Sequence, residues 1–126
     1  MFKKLIILLL VCWSSSVVAN PFSETRTWTN EEKYWGAALG VALLADWSST
    51  RYAARDGWHG VKENNPLLGS TPSVSKLDRH FIIGIPLLYL GIDQLDKNRK
   101  YALMGATAIE VVAAHNNVRV GLRFQF

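Results

Sequence analysis

Four apolar stretches separated by polar joints organise the chain. Residues 5–11 form a compact apolar run behind Lys3 and Lys4. From about 33 to 54 the chain is rich in Ala and Leu, a composition that favours helix. Thr29 or Asn30 can cap this stretch, and Glu31 and Glu32 put negative charge on its first turn, where the helix dipole favours it. Asp56-Gly57 ends it, so the pattern predicts a first helix over 31–55. Residues 58–75 carry Gly60, Gly69, Pro66, Pro72 and the pair Asn64-Asn65, with no regular period, and read as a loop. A second helix over 75–95 contains Pro86, which is expected to kink or divide it. A charged turn over 96–100 leads to a third helix over 101–115, stopped by Asn116-Asn117. Val118, Val120, Leu122, Phe124 and Phe126 then alternate with Arg119, Gly121, Arg123 and Gln125, which is strand period in a nine-residue tail. The predicted fold class is all-α: three mostly apolar helices and a short β-like tail.

The first block has the form of a secretory signal peptide. A positive n-region precedes a short apolar h-region, and Val17-Val18-Ala19 offers a cut after Ala19. The expected division is residues 1–19 as signal and 20–126 as one helical, membrane-associated domain. The 107 residues that remain suffice for one modest core. Cys12, the only cysteine, leaves with the signal; Val11 stands where a lipoprotein signal needs a small residue. The net charge of +4 falls to +2 once Lys3 and Lys4 are removed. No Lys/Arg cluster with interleaved aromatics occurs, which argues against a nucleic-acid partner.

Whether the helices cross a bilayer is the question the pattern raises next. Residues 34–50, 81–92 and 101–115 would reach roughly 26, 18 and 22 Å, each short of the ~30 Å hydrocarbon core. Other features favour membrane insertion. The helices are apolar nearly all round, unlike a surface helix with one polar face. Gly36 and Gly40 make a G-x-x-x-G pair, and Ala102, Ala106 and Ala113 share the side of the third helix that bears Glu110. Tyr34, Trp35, Trp47 and Tyr101 sit near proposed helix ends, as interfacial aromatics do. A mature N-terminus outside would put Arg51, Arg55, Lys62, Lys76 and Arg79 inside, as the charge rule requires, but Lys97, Arg99 and Lys100 outside, against it. The balance predicts an integral inner-membrane protein in contact with lipid, with a soluble periplasmic domain as the alternative.

Candidate chemistry is confined to a few polar residues. Asp46 and Thr50 are four apart and share a helix face, with Arg51 next to them. Glu110 lies in an apolar helix that His115 closes. Buried carboxylates need partners or a cavity, so Asp46 and Glu110 are expected to face each other or a basic partner, Arg51 or His80, and to tie the helices together. Glu63, Asn65, Pro66 and Gly69 form the most distinctive stretch of the loop. No zinc spacing links His59, His80 and His115, and no nucleophile motif is present; neither catalytic residues, a metal nor a cofactor is assigned. A small envelope enzyme using Asp46, Glu63 and His115 would need a pocket that the sequence does not reveal. One alternating segment cannot close an outer-membrane barrel.

The run Asp46-Trp47-x-x-Thr50-Arg51, then Glu63-Asn64-Asn65-Pro66-Leu67-Leu68-Gly69 and Pro72-Ser73, resembles a group of small exported or membrane proteins of bacterial and phage genomes. The ending from His115-Asn116-Asn117 through Gly121 to Phe126 is similar to that group as well. The resemblance implies an integral membrane build and no particular reaction. The expected function is interaction within the cell envelope, in a phage or prophage setting, with another envelope protein or a second copy as partner. The alternative is a periplasmic helical domain that binds through its polar loop.

Overall fold

A computed structural model describes residues 27–124. Three helices make up the architecture: α1 (Asn30–Arg55), α2 (Val74–Asp93) and α3 (Arg99–Arg119), with a 3-10 turn at Asp96–Asn98 before α3. Thr29 starts α1 with a capping box. Its hydroxyl accepts from the Glu32 amide at 3.2 Å, and the Glu32 carboxylate accepts from the Thr29 amide at 2.8 Å. Ser73 caps α2 by accepting from the Lys76 amide at 3.3 Å. Pro86 lies within α2 without dividing it.

α1 packs chiefly on α3 and less on α2, while α2 and α3 touch little. Leu39, Leu43, Ile92 and Leu103 form the main core, flanked by Trp28, Trp35 and Tyr89. Complete burial of Leu39 and Leu103 stabilises the fold by roughly 1.5–3 kcal/mol each. A second core joins the loop to α2: Leu68, Leu77 and Phe81, with Trp47 and Trp58 against them. Gly36 and Gly40 let Trp28 and Tyr89 of the main core pack close to α1. A Cβ on Gly36 would lie 2.8 Å from the Trp28 ring, and one on Gly40 would lie 3.3 Å from the Tyr89 hydroxyl.

The integral-membrane expectation is overturned. Among the described residues no helix is long and apolar enough to cross a membrane. Asp46, Ser48, Ser49, Thr50 and Arg51 interrupt α1, Glu110 interrupts α3, and α2 begins with Lys76, Asp78, Arg79 and His80. Of the aromatics read as interfacial anchors, Trp35 packs on the core and the Trp47 indole donates to Asp78 at 2.9 Å. The transmembrane-helix reading therefore falls with the spans.

The β-like tail is not formed either. α3 continues through Asn116 and Asn117 to Arg119, and residues 120–124 follow as turn and coil. Among the described residues there is no strand for a tail to pair with, and a lone alternating segment has no ladder to join. Gln125 and Phe126 lie outside the described residues, as does the expected signal peptide at 1–19.

Candidate functional site

The last turns of α1 carry most of the singled-out residues. Asp46 and Thr50, one turn apart, approach at 3.4 Å, hydroxyl to carboxylate. The Ser49 hydroxyl donates back to the carbonyls of Ala45 and Asp46, at 2.9 and 3.1 Å. These three oxygens are gathered by one amide from α3. Asn117 Nδ2 lies 2.9 Å from Asp46 Oδ1, 2.9 Å from Ser49 Oγ and 3.3 Å from Thr50 Oγ1. Asn117 is thus the residue that fastens the end of α3 to α1.

Arg51 turns away from this cluster. It grips Asp78 of α2 through two contacts, Nε to Oδ1 at 2.9 Å and NH2 to Oδ2 at 3.0 Å. Burial works to raise the Asp78 carboxyl, but the hydrogen bonds from Arg51 and Trp47 outweigh it and hold the group below its usual range. Trp47 also stacks on Phe81, with ring centroids 5.6 Å apart.

The loop between α1 and α2 is pinned at many points. The chain leaves α1 through Gly57 and Trp58, both with positive φ, which a bulky side chain rarely adopts. Trp58 is held there by its amide on the Ala53 carbonyl and its indole on the Pro72 carbonyl, each at 2.9 Å. The Glu63 amide donates to Ser70 O at 2.9 Å, closing the loop on itself. The Glu63 carboxylate accepts from the Asn65 amide at 2.7 Å, and Asn65 Oδ1 accepts from the Leu67 amide at 3.0 Å. Pro66 sits just after Asn65 in the turn closed by Leu68 N to Asn65 O, a position its fixed φ suits. Gly69 follows with φ +80, a conformation glycine adopts without steric cost. Asn65 Nδ2 lies 3.2 Å from His80 Nε2, so with Asn65 donating, the His80 proton resides on Nδ1. Burial lowers the His80 pKa, against an opposing pull from Glu63.

Like charges from α1, the loop and α3 meet here. Burial, then the charge of Glu63, raises Asp46 from 3.8 to about 6, against the hydrogen bonds from Asn117 and Thr50. Burial, then the charges of Asp46 and Glu63, raises Glu110 from 4.5 to about 7. Both carboxyls can therefore hold and release protons near neutrality, a property that often marks functional positions. Among the described residues no ion pair forms at Asp46 or Glu110, and no group of His, Cys, Asp and Glu is arranged to hold a metal. His115 is exposed near the end of α3 and makes no hydrogen bond to Asp46 or Glu63. The site thus unites Asp46, Thr50, Glu63 and Glu110 with Ser49, Asn117 and His80, and leaves Arg51 and His115 apart. The sequence marks Asn117 only as a helix stop, because its role depends on oxygens some seventy positions earlier. No family model, curated protein or solved structure matches the chain.

Proposed function

We propose that the chain is an exported helical binding domain of the cell envelope, which engages a partner protein in the periplasm through the loop between α1 and α2. One observation carries this reading. The loop is pinned to itself and to α2 by Trp58, Glu63, Asn65 and Lys76, yet Pro66 and Leu67 at its tip stay exposed. Leu67 remains 64% exposed although it is apolar. A loop ordered before it meets its partner loses little conformational entropy on binding, which is how rigid recognition loops gain affinity. The signal-like segment at 1–19 supports export, and the absence of a catalytic motif fits a binding role better than a reaction.

A photoreactive amino acid at Asn64, compared with one at Gln94, tests the reading in living cells. Asn64 should give a discrete adduct whose partner mass spectrometry identifies, while Gln94, at the far end of the bundle, should not. Asn65→Ala, which removes the loop's bonds to the Leu67 amide and His80, should weaken that adduct. Equal adduct patterns from both positions, or none from Asn64, would reject binding through the loop. The intact mass should correspond to a chain beginning at Asn20; retention of residues 1–19 would reject export with signal removal.

A further inference from the structure

Beside the loop tip runs a groove of about 400 Å³ between Leu67 and Leu68 on one side and α2 on the other. On α2 its wall is built from Arg79, Ile83, Gly84 and Leu87, together with Lys76 and His80, residues spaced so that they share one helix face. Leu68 is buried on Leu77 and Phe81, and its carbonyl accepts from the Lys76 ammonium at 2.7 Å, so the loop edge of the groove is fixed. At Gly84 the helix offers no side chain, and a Cβ placed there would meet nothing within 4 Å. The groove is thus the space that a side chain at position 84 would fill. Its apolar lining is open to solvent: Leu67 is 64% exposed, and Ile83 and Leu87 are each 53% exposed.

Charge narrows what can lie there. Lys76 and Arg79 bring positive charge to the groove, and no carboxylate lines it. An anionic group flanked by apolar ones is complementary to such a wall. Shape narrows it further. A small ligand typically hides 70–90% of its surface, in a pocket that encloses it. This groove is open along its length and would leave a small amphiphile largely wet. A polypeptide segment can lie along such an open groove, burying one face and leaving its polar backbone and other face to water. The bare apolar surface also continues along the same helix face to Leu90, 60% exposed, giving a longer track than one small molecule needs.

We infer that this groove binds a polypeptide segment carrying an Asp or Glu between apolar residues, with Arg79 and Lys76 receiving the carboxylate and Ile83, Leu87 and Leu67 the apolar side chains. The inference rests on the binding-domain reading above and gives that partner its chemistry.

The test is selection of displayed random dodecapeptides on the purified chain, counter-selected on Gly84→Leu. That substitution fills the groove, meets no neighbour at its Cβ and replaces glycine by a better helix former, so the variant should keep its fold, which circular dichroism checks. Peptides enriched on the wild type should carry an acid flanked by apolar residues. A selected peptide should bind Gly84→Leu at least tenfold more weakly and Arg79→Glu several-fold more weakly, and bind the wild type more tightly at low salt. The inference is overturned if nothing is enriched over Gly84→Leu, or if the enriched peptides lack Asp and Glu. It is equally overturned if the only partner found is a vesicle of phosphatidylglycerol that sediments wild type and Gly84→Leu alike, since the bare apolar track would then serve a lipid surface. A crosslink from Asn64 that survives in Gly84→Leu would remove the groove and leave the loop as the binding element.

Discussion

The two ends of the bundle treat buried charge in opposite ways. Where α1 begins, Arg99 is wholly buried between two carboxylates, 3.6 Å from Glu32 and 3.2 Å from Asp93. Its guanidinium also donates to the Asp93 carbonyl at 3.0 Å and lies 5.3 Å from the Trp28 ring centroid, while the Trp28 indole donates to Asp93 at 2.6 Å. Both carboxylates there face the same guanidinium, opposite charge to opposite charge. At the loop end, Asp46, Glu63 and Glu110 bear on one another with the same sign, and the nearby cation Arg51 is taken up by Asp78. The first end is a lock of opposite charges. The second gathers like charges that packing alone does not call for, an arrangement of the kind that often marks functional positions.

The largest way to break this comparison is Arg99→Met. Removing one member of a buried ion pair leaves its counterpart's charge uncompensated, which costs about 3–5 kcal/mol. Urea unfolding at pH 7 should show a loss of that size. A loss under about 1 kcal/mol would mean that the lock is ordinary packing and that its charges matter little.

The same end should resist a single added methyl. Gly36→Ala places a Cβ 2.8 Å from a Trp28 ring carbon, and Trp28 is itself held by Asp93 and by its stack on Tyr89. Overpacking against so constrained a ring costs about 1–3 kcal/mol. The melting temperature should drop by several degrees. An unchanged melting temperature would show Trp28 free to shift and the lock looser than its contacts indicate.

The loop end should respond to pH with the opposite sign to an ordinary salt bridge. Folding raises Asp46 from 3.8 to about 6 and Glu110 from 4.5 to about 7, so the native state holds more protons than the unfolded chain across that window. Stability from this end is fully present below about pH 4 and is lost as pH rises to about 7. Glu110→Gln keeps the shape and removes the charge, so it should flatten the loss and stabilise the protein by roughly 1–2 kcal/mol at pH 8, allowing for solvent screening. At pH 5 the variant and the wild type should differ little. Parallel melting curves for the two proteins from pH 5 to 8 would show that Glu110 carries no repulsion.

Which of these features were legible beforehand follows from how local each one is. Thr29, Glu32 and the Ala/Leu-rich stretch after them announce α1 because capping and propensity act within a few residues. Asp46 and Thr50 share a face by helical spacing alone. In the sequence Arg99 belongs to the charged turn over 96–100, because its partner Glu32 lies far away along the chain and nothing near Arg99 signals burial. The apolar character of all three helices suggested spans, but α2 packs on little besides α1 and the loop, so residues such as Ile82 and Leu90 are simply left uncovered. The alternation over 118–126 suggested a strand, yet the contact of Asn117 with three oxygens of α1 accompanies a helix that runs on past it.

The smallest prediction separates the two ends by one substitution made twice. Gly84→Ala, on α2 beside the loop, adds the same methyl as Gly36→Ala but into open space, since nothing lies within 4 Å of the new Cβ. With no contact to disturb, the helix gains only the propensity difference between glycine and alanine, about 0.5–1 kcal/mol. Opposite signs for Gly36→Ala and Gly84→Ala in one thermal-melt series would set a packed lock against an unfilled groove. Destabilisation by both would mean that position 84 is covered in solution, and the groove would then already have an occupant.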